Sequence, residues 1–185
     1  MNEVNQEEAV IVRLLESTSA QTNGTVIAQI FDEALDRLVT QWAYNRIDDR
    51  QWTPGFAEKV SDLVRSTRNR QGFMSYVGKC EMLALRSMQD GFERSCYYRS
   101  HIQVLVEEFV PFAELVHPAD VGTLAQIDEL YVNDANEIPP IPSEDIPSWV
   151  PESHWWWRAP TRLDMSQQEI DEKLHDYYAE DWETR

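Results

Sequence analysis

Proline placement divides this chain into two textures. Pro139, Pro140, Pro142, Pro147, Pro151 and Pro160, six of the nine prolines, fall between Glu137 and Pro160. Proline has no amide proton and its ring clashes with the preceding turn, so this stretch is barred from helix and is expected to follow an extended, polyproline-II-like path. Residues 1–136 hold only Pro54, Pro111 and Pro118. Their apolar residues recur at three- and four-residue steps, the spacing of a helix with one buried face.

That spacing predicts a first helix around Val4, Ala9, Val12 and Leu15, ended by the polar run from Ser17 to Gly24. A second carries Ile27, Phe31, Ala34, Leu35, Leu38, Trp42 and Ala43, starting at Thr25 as N-cap and running to about Asn45. Thr53-Pro54 reads as an N-cap followed by proline at the first helical position, opening a third helix that breaks near Arg70-Gln71-Gly72. A fourth runs from Phe73 to Met88 and stops at Asp90-Gly91. The fifth, from Phe92 to Val116, contains Pro111, which is expected to kink or divide it. Pro118-Ala119-Asp120 opens a sixth, with Val121, Leu124, Ile127, Leu130 and Tyr131 on one face. Strand signals are weak, and the expected fold class is all-α.

The proline-rich stretch also carries Trp149, Trp155, Trp156 and Trp157. Four indoles represent a large apolar area, so an arm that lays rings into grooves of the bundle is expected; a partner-binding segment is the alternative, because tryptophan is enriched at interface hot spots. The chain then returns to helix. Ser166-Gln167-Gln168-Glu169 matches a capping box, and Ile170, Leu174, Tyr177, Tyr178 and Trp182 follow at helical spacing. The expected organisation is a helical bundle body over 1–136, with an arm and an acidic C-terminal helix over 137–185 packed on it.

Charge narrows the function. Asp+Glu is 33 against 16 Lys+Arg, a formal net charge of −17. Such a field repels nucleic acid and anionic membrane surfaces. No apolar run is long enough to span a bilayer, and the first residues are acidic where a secretory signal is basic, so a cytoplasmic location is expected. The charge is uneven: residues 119–185 hold 16 acids and four bases, a net of −12, while Lys59 to Arg99 holds eight bases and four acids, a net of +4. Those bases are expected to meet the protein's own acids.

Catalytic constellations are sparse. There is no Gly-x-Ser-x-Gly elbow, Walker loop, Gly-x-Gly-x-x-Gly turn or His-Glu-x-x-His pair. His101 and His117 neighbour apolar runs and read as core or boundary histidines. Two cysteines make neither a disulfide framework nor a four-thiolate metal site. Cys80 lies on an apolar face; Cys96 is flanked by Arg94 and Arg99, which favour a thiolate, but no histidine lies close in sequence, and a cysteine nucleophile there is an alternative only. Glu169-Ile170-Asp171-Glu172 is similar to half of the magnesium-binding pattern of helical nucleotide pyrophosphohydrolases, which leaves a carboxylate-metal hydrolase as an alternative. The expectation is a non-enzymatic protein with no catalytic residue, metal site or cofactor.

Acidity, a helical body of this size and the lack of a catalytic motif together resemble the small cytosolic immunity proteins of interbacterial toxin systems. A local stretch, Leu63-Val64 followed by Asn69-Arg70-Gln71-Gly72-Phe73-Met74-Ser75-Tyr76, is similar to the Asn-Gly-Gly-Phe-x-x-Phe/Tyr signature of an acidic helical DNA-mimic family, with Gln71 where that pattern has glycine. Both resemblances imply an acidic surface that docks on a basic, nucleic-acid-binding protein and blocks it. The expected partner is a basic protein, a nuclease-type toxin in the first case. The expected binding residues are the acids Asp171, Glu172, Asp176, Glu180 and Asp181, with Trp155, Trp156 and Trp157 as aromatic anchors. A structural adaptor whose acidity serves solubility alone is the bland alternative.

Overall fold

A computed structural model describes residues 3–87 and 92–162. Among these residues there are seven α-helices, three short 3-10 turns and no strand, so the fold is all-α. The helices are α1 (Glu3–Ser17), α2 (Gly24–Ile47), α3 (Phe56–Val64), α4 (Thr67–Leu85), α5 (Phe92–Glu108), α6 (Phe112–Leu115) and α7 (Thr123–Asp134). The Asp90-Gly91 stop and the capping-box helix from Ser166 lie outside the described residues. The chain resolves into two compact units. One comprises Met1–Lys79 with Tyr98–Thr123; the other comprises Cys80–Tyr97 with Leu124–Arg185. Residue 136, where the sequence changes texture, lies inside the second unit.

In the first unit the apolar stripes found by periodicity form the interior. Leu15, Phe31, Leu35, Leu38, Val64 and Leu105 line one tight apolar space. Burial at these positions removes the side chains from water, at roughly 1.5–3 kcal/mol for each large apolar group. Helix starts differ from the expected ones. The N-cap of α2 is Asn23 rather than Thr25; its Oδ1 accepts from the amides of Thr25 (2.9 Å) and Val26 (3.4 Å), which sets the first helical residue at Gly24. Thr53 does not cap α3. Its amide and hydroxyl both donate to the carboxylate of Glu8, a buried α1 residue, and this bond pins the loop after α2. Gly55 makes the turn instead, with φ of +82°, a conformation in which a Cβ is strained.

The expected break near Arg70-Gln71-Gly72 is absent, because α4 starts at Thr67 and continues through it. Two tertiary contacts hold this segment helical. Asn69, fully buried, donates Nδ2 to the carbonyls of Leu15 (3.0 Å) and Leu63 (2.9 Å) and accepts from the Thr18 hydroxyl at 2.8 Å. Gly72 lies so close to α2 that a Cβ there would stand 2.5 Å from Phe31 Cβ. Glycine costs a helix about 1 kcal/mol relative to alanine, and here it is what lets the helices approach. Pro111 divides the fifth segment as expected: α5 ends at Glu108 and α6 begins at Phe112. Arg70 spans to the end of α6, donating to the carbonyls of Leu115 (3.1 Å) and Val116 (3.3 Å).

In the second unit α7 buries Ile127 and Tyr131. The Tyr131 ring meets Phe92 edge-on at 5.2 Å, and its hydroxyl lies 2.6 Å from that of Ser95. The proline-rich stretch is free of α-helix but is not an extended polyproline path. Carbonyls of Pro142, Pro147 and Pro151 accept from the amides of Asp145, Val150 and His154, each closing a turn. A 3-10 helix follows over Trp155–Arg158. Two of the indoles, Trp156 and Trp157, are enclosed; Trp156 donates Nε1 to the Cys96 carbonyl at 3.2 Å and stacks on His154 at 4.8 Å. Near its end the stretch returns to its start, with Thr161 and Arg162 amides donating to the carbonyls of Ala135 and Ile138.

Candidate partner-binding surfaces

The acids expected to meet a partner, Asp171, Glu172, Asp176, Glu180 and Asp181, lie outside the described residues. The three adjacent tryptophans separate by burial. Trp156 and Trp157 are each 2% exposed, and Trp155 is 38% exposed. A ring closed off by its own chain has no area left to offer, so only Trp155 presents a face to a partner. The reason is local: three consecutive indoles on a 3-10 turn point in different directions, and burial favours turning two of them inward.

The cysteines do not sit as reactive thiols. Both are fully buried. Cys96 Sγ faces the Trp156 carbonyl at 3.6 Å, and burial pushes its thiol pKa far up, with the nearby Cys80 and Glu93 adding to the effect. The flanking arginines are therefore no guide to its chemistry. Among the histidines, His101 is a core residue as expected, 3.0 Å from the Tyr76 hydroxyl through Nδ1, and burial lowers its pKa to about 3. His117 is exposed rather than core; its Nδ1 accepts from the Ala119 amide at 3.2 Å and caps a 3-10 turn.

Most of the central bases meet the protein's own groups. Arg65 pairs with Glu114 at 2.8 Å, Lys59 with Glu16 at 2.9 Å, and Lys79 with Asp32. Arg99 donates to Gln103 at 2.7 Å, and Arg70 is occupied by the α6 carbonyls. The residues that carry the DNA-mimic likeness are packing residues here. Asn69 ties α1 and α3 to α4, Gly72 admits Phe31, and Phe73 meets Phe31 and Phe112 edge-on at 6.2 and 5.8 Å. Among the described residues no group of three or more His, Cys, Asp or Glu side chains is placed to hold a metal ion, and no helix is long and apolar enough to cross a membrane.

One surface groove of the first unit lies where α1 meets α2. A groove of about 380 Å³ is lined by Glu7 from α1 and by Glu33, Asp36, Arg37, Gln41 and Tyr44 from α2. The α2 residues fall at three- and four-residue steps, on the face opposite the apolar stripe. Arg37 bridges the helices, with Nη1 2.7 Å from Glu7 Oε1 and Nε 3.1 Å from Glu33 Oε1. Hydrogen bonds to these two carboxylates hold the guanidinium pKa above its ordinary value. Asp36 is exposed and makes no ion pair with a described residue. Tyr44 is 61% exposed. This groove was not legible in the sequence, where its acids look like an ordinary solvated helix face and nothing brings Glu7 to them.

In the second unit, Ala125, Asp128, Glu129, Val132 and Asn133 line a shallower depression of about 400 Å³ along α7. Compared with family models, with curated proteins and with solved structures, the chain matches none.

Proposed function

We propose that this chain is a non-enzymatic, cytoplasmic binding protein whose acidic surface neutralises a basic partner, acting as an immunity protein for a nuclease-type antibacterial toxin. One observation carries the reading: the imbalance of charge is left on the surface. The formal charge is −17, and four of the central bases, Lys59, Arg65, Arg70 and Lys79, are engaged with the chain's own carboxylates and carbonyls. Asp36, Asp49, Glu58, Glu108, Glu129 and Glu152 are exposed and make no ion pair with a described residue. Self-repulsion of this size destabilises a compact state, and docking on a basic surface relieves it. In such a complex, carboxylates stand where substrate phosphates would bind, and opposed fields speed the encounter. Trp155 offers an aromatic anchor at the rim.

The test is retention of the product of the adjacent gene by the tagged full chain at low and physiological salt. A basic protein is expected to be held at low salt, to be released as salt rises, and to lose its nuclease activity when bound. Failure to hold that product, together with full nuclease activity in the mixture, defeats the reading.

A further inference from the structure

We propose that the C-terminal segment of this chain, residues 166–182, seats its apolar face on the exposed side of α7 and so presents Glu172, Asp176 and Glu180 as an outward acidic row. This deepens the binding-protein reading above and rests on it for the use of that row. Three observations, all within the second unit, lead to it. The first is the seat. Ala125, Asp128, Glu129, Val132 and Asn133 line a depression of about 400 Å³ along α7, turned away from the buried Ile127 and Tyr131. Val132 is 56% exposed there, a large apolar side chain left in water.

The second observation is where the described chain ends. The Thr161 amide donates to the Ala135 carbonyl at 2.8 Å, and the Arg162 amide to the Ile138 carbonyl at 3.0 Å. Residue 162 is thereby tied beside the C-terminal end of α7, and the stretch from there to Ser166 reaches at most about 14 Å. A helix that starts within that reach and turns back runs antiparallel to α7. Over residues 167–182 it spans about 24 Å, enough to cover the ~18 Å of α7.

The third observation is the pattern of the segment. Ile170, Leu174, Tyr177 and Tyr178 share one helical face, and Glu172, Asp176 and Glu180 share the opposite one. A lone helix of this length is marginal in water, so its apolar face calls for a surface. Antiparallel seating brings Ile170 level with Val132, and the two tyrosines level with the small side chain of Ala125. Lys173 then falls level with Asp128 and Glu129, where the charges are opposite. The short tether holds the segment near its seat at a roughly millimolar effective concentration, which favours it over a second copy of the chain.

The experiment uses the full chain without a partner. Amide hydrogen exchange of residues 167–182 is measured in the unaltered protein and in Val132→Glu. Glutamate at this exposed helical position keeps α7 intact, which circular dichroism checks. The segment is expected to be protected in the unaltered protein and to exchange about tenfold faster in Val132→Glu. In a second arm, Val132→Cys is combined with Ile170→Cys or, on the far face of the segment, with Ala179→Cys. Mild oxidation of dilute protein is expected to close a disulfide within one chain for the first pair and not for the second. Exchange at the rate of an unstructured peptide overturns the proposal. So does protection that Val132→Glu leaves unchanged, because the segment is then seated elsewhere. A disulfide that joins two chains gives the depression to a second copy and also overturns it. Seating seen as expected, with the product of the adjacent gene not retained, leaves the seat standing and defeats the neutraliser reading alone.

Discussion

Burial of His101 makes the stability of this protein depend on pH in a direction set by its chemistry. The ring is 1% exposed, lies parallel to the Tyr76 ring at 6.2 Å, and has Nδ1 3.0 Å from the Tyr76 hydroxyl. Burial penalises the charged form and lowers the folded-state pKa from 6.5 to about 3. The unfolded chain therefore takes up a proton as pH falls through about 6.5, while the folded chain stays neutral until about 3. Between these values the unfolded state binds more protons, so stability falls with falling pH. Integrated from pH 7 to pH 5, this one group removes about 2 kcal/mol. Other groups titrate in the same range. Glu93, whose carboxyl pKa is raised by burial and then by Asp145, works in the opposite sense. A comparison with His101→Gln cancels such shared contributions and keeps a neutral polar group beside Tyr76. The assay is urea unfolding of both proteins at pH 7, 6 and 5 and constant ionic strength, followed by helical circular dichroism. The unaltered chain is expected to lose about 2 kcal/mol more than the variant between pH 7 and 5. Equal losses in the two proteins refute the argument, because they mean that His101 titrates in the folded chain as it does in the unfolded one.

Three further outcomes follow from packing. Gly72→Ala forces a Cβ to 2.5 Å from Phe31 Cβ, and the overpacking outweighs the gain in helix propensity. The expected cost is about 2 kcal/mol, seen as a thermal midpoint lower by roughly 4–8 °C; an unchanged midpoint contradicts the close approach of α4 to α2. Trp156→Ala removes a 2% exposed indole and the donor to the Cys96 carbonyl, at an expected ~3–5 kcal/mol in denaturant unfolding. A change below about 1 kcal/mol would show that the ring is not packed as described. Cys80 and Cys96, both fully buried, are expected to resist Ellman's reagent in the native protein and to react together on unfolding, so rapid native labelling of either would contradict their burial.

Much of the architecture was written in local pattern. Apolar spacing placed the stripes of α2 and α7, and the missing amide proton of Pro111 divided α5 from α6. These features depend on residues within a few positions of one another, so the sequence alone determines them. The charge of −17 is likewise a property of composition. Tertiary structure decided the rest. Arg70-Gln71-Gly72 reads locally as a break, yet the bonds of Asn69 to residues over fifty positions away and the fit of Gly72 on Phe31 hold it in α4. Thr53 reads as a cap, yet the buried Glu8, 45 residues earlier, takes its donors. Three adjacent tryptophans have the same composition and different fates, because only the surrounding side chains of the second unit determine which rings are enclosed. The groove with Gln41 and Tyr44 exists only where Glu7 of α1 is brought beside α2. Periodicity says which face of a helix turns inward; it does not say which distant residue that face, or the one opposite, will meet.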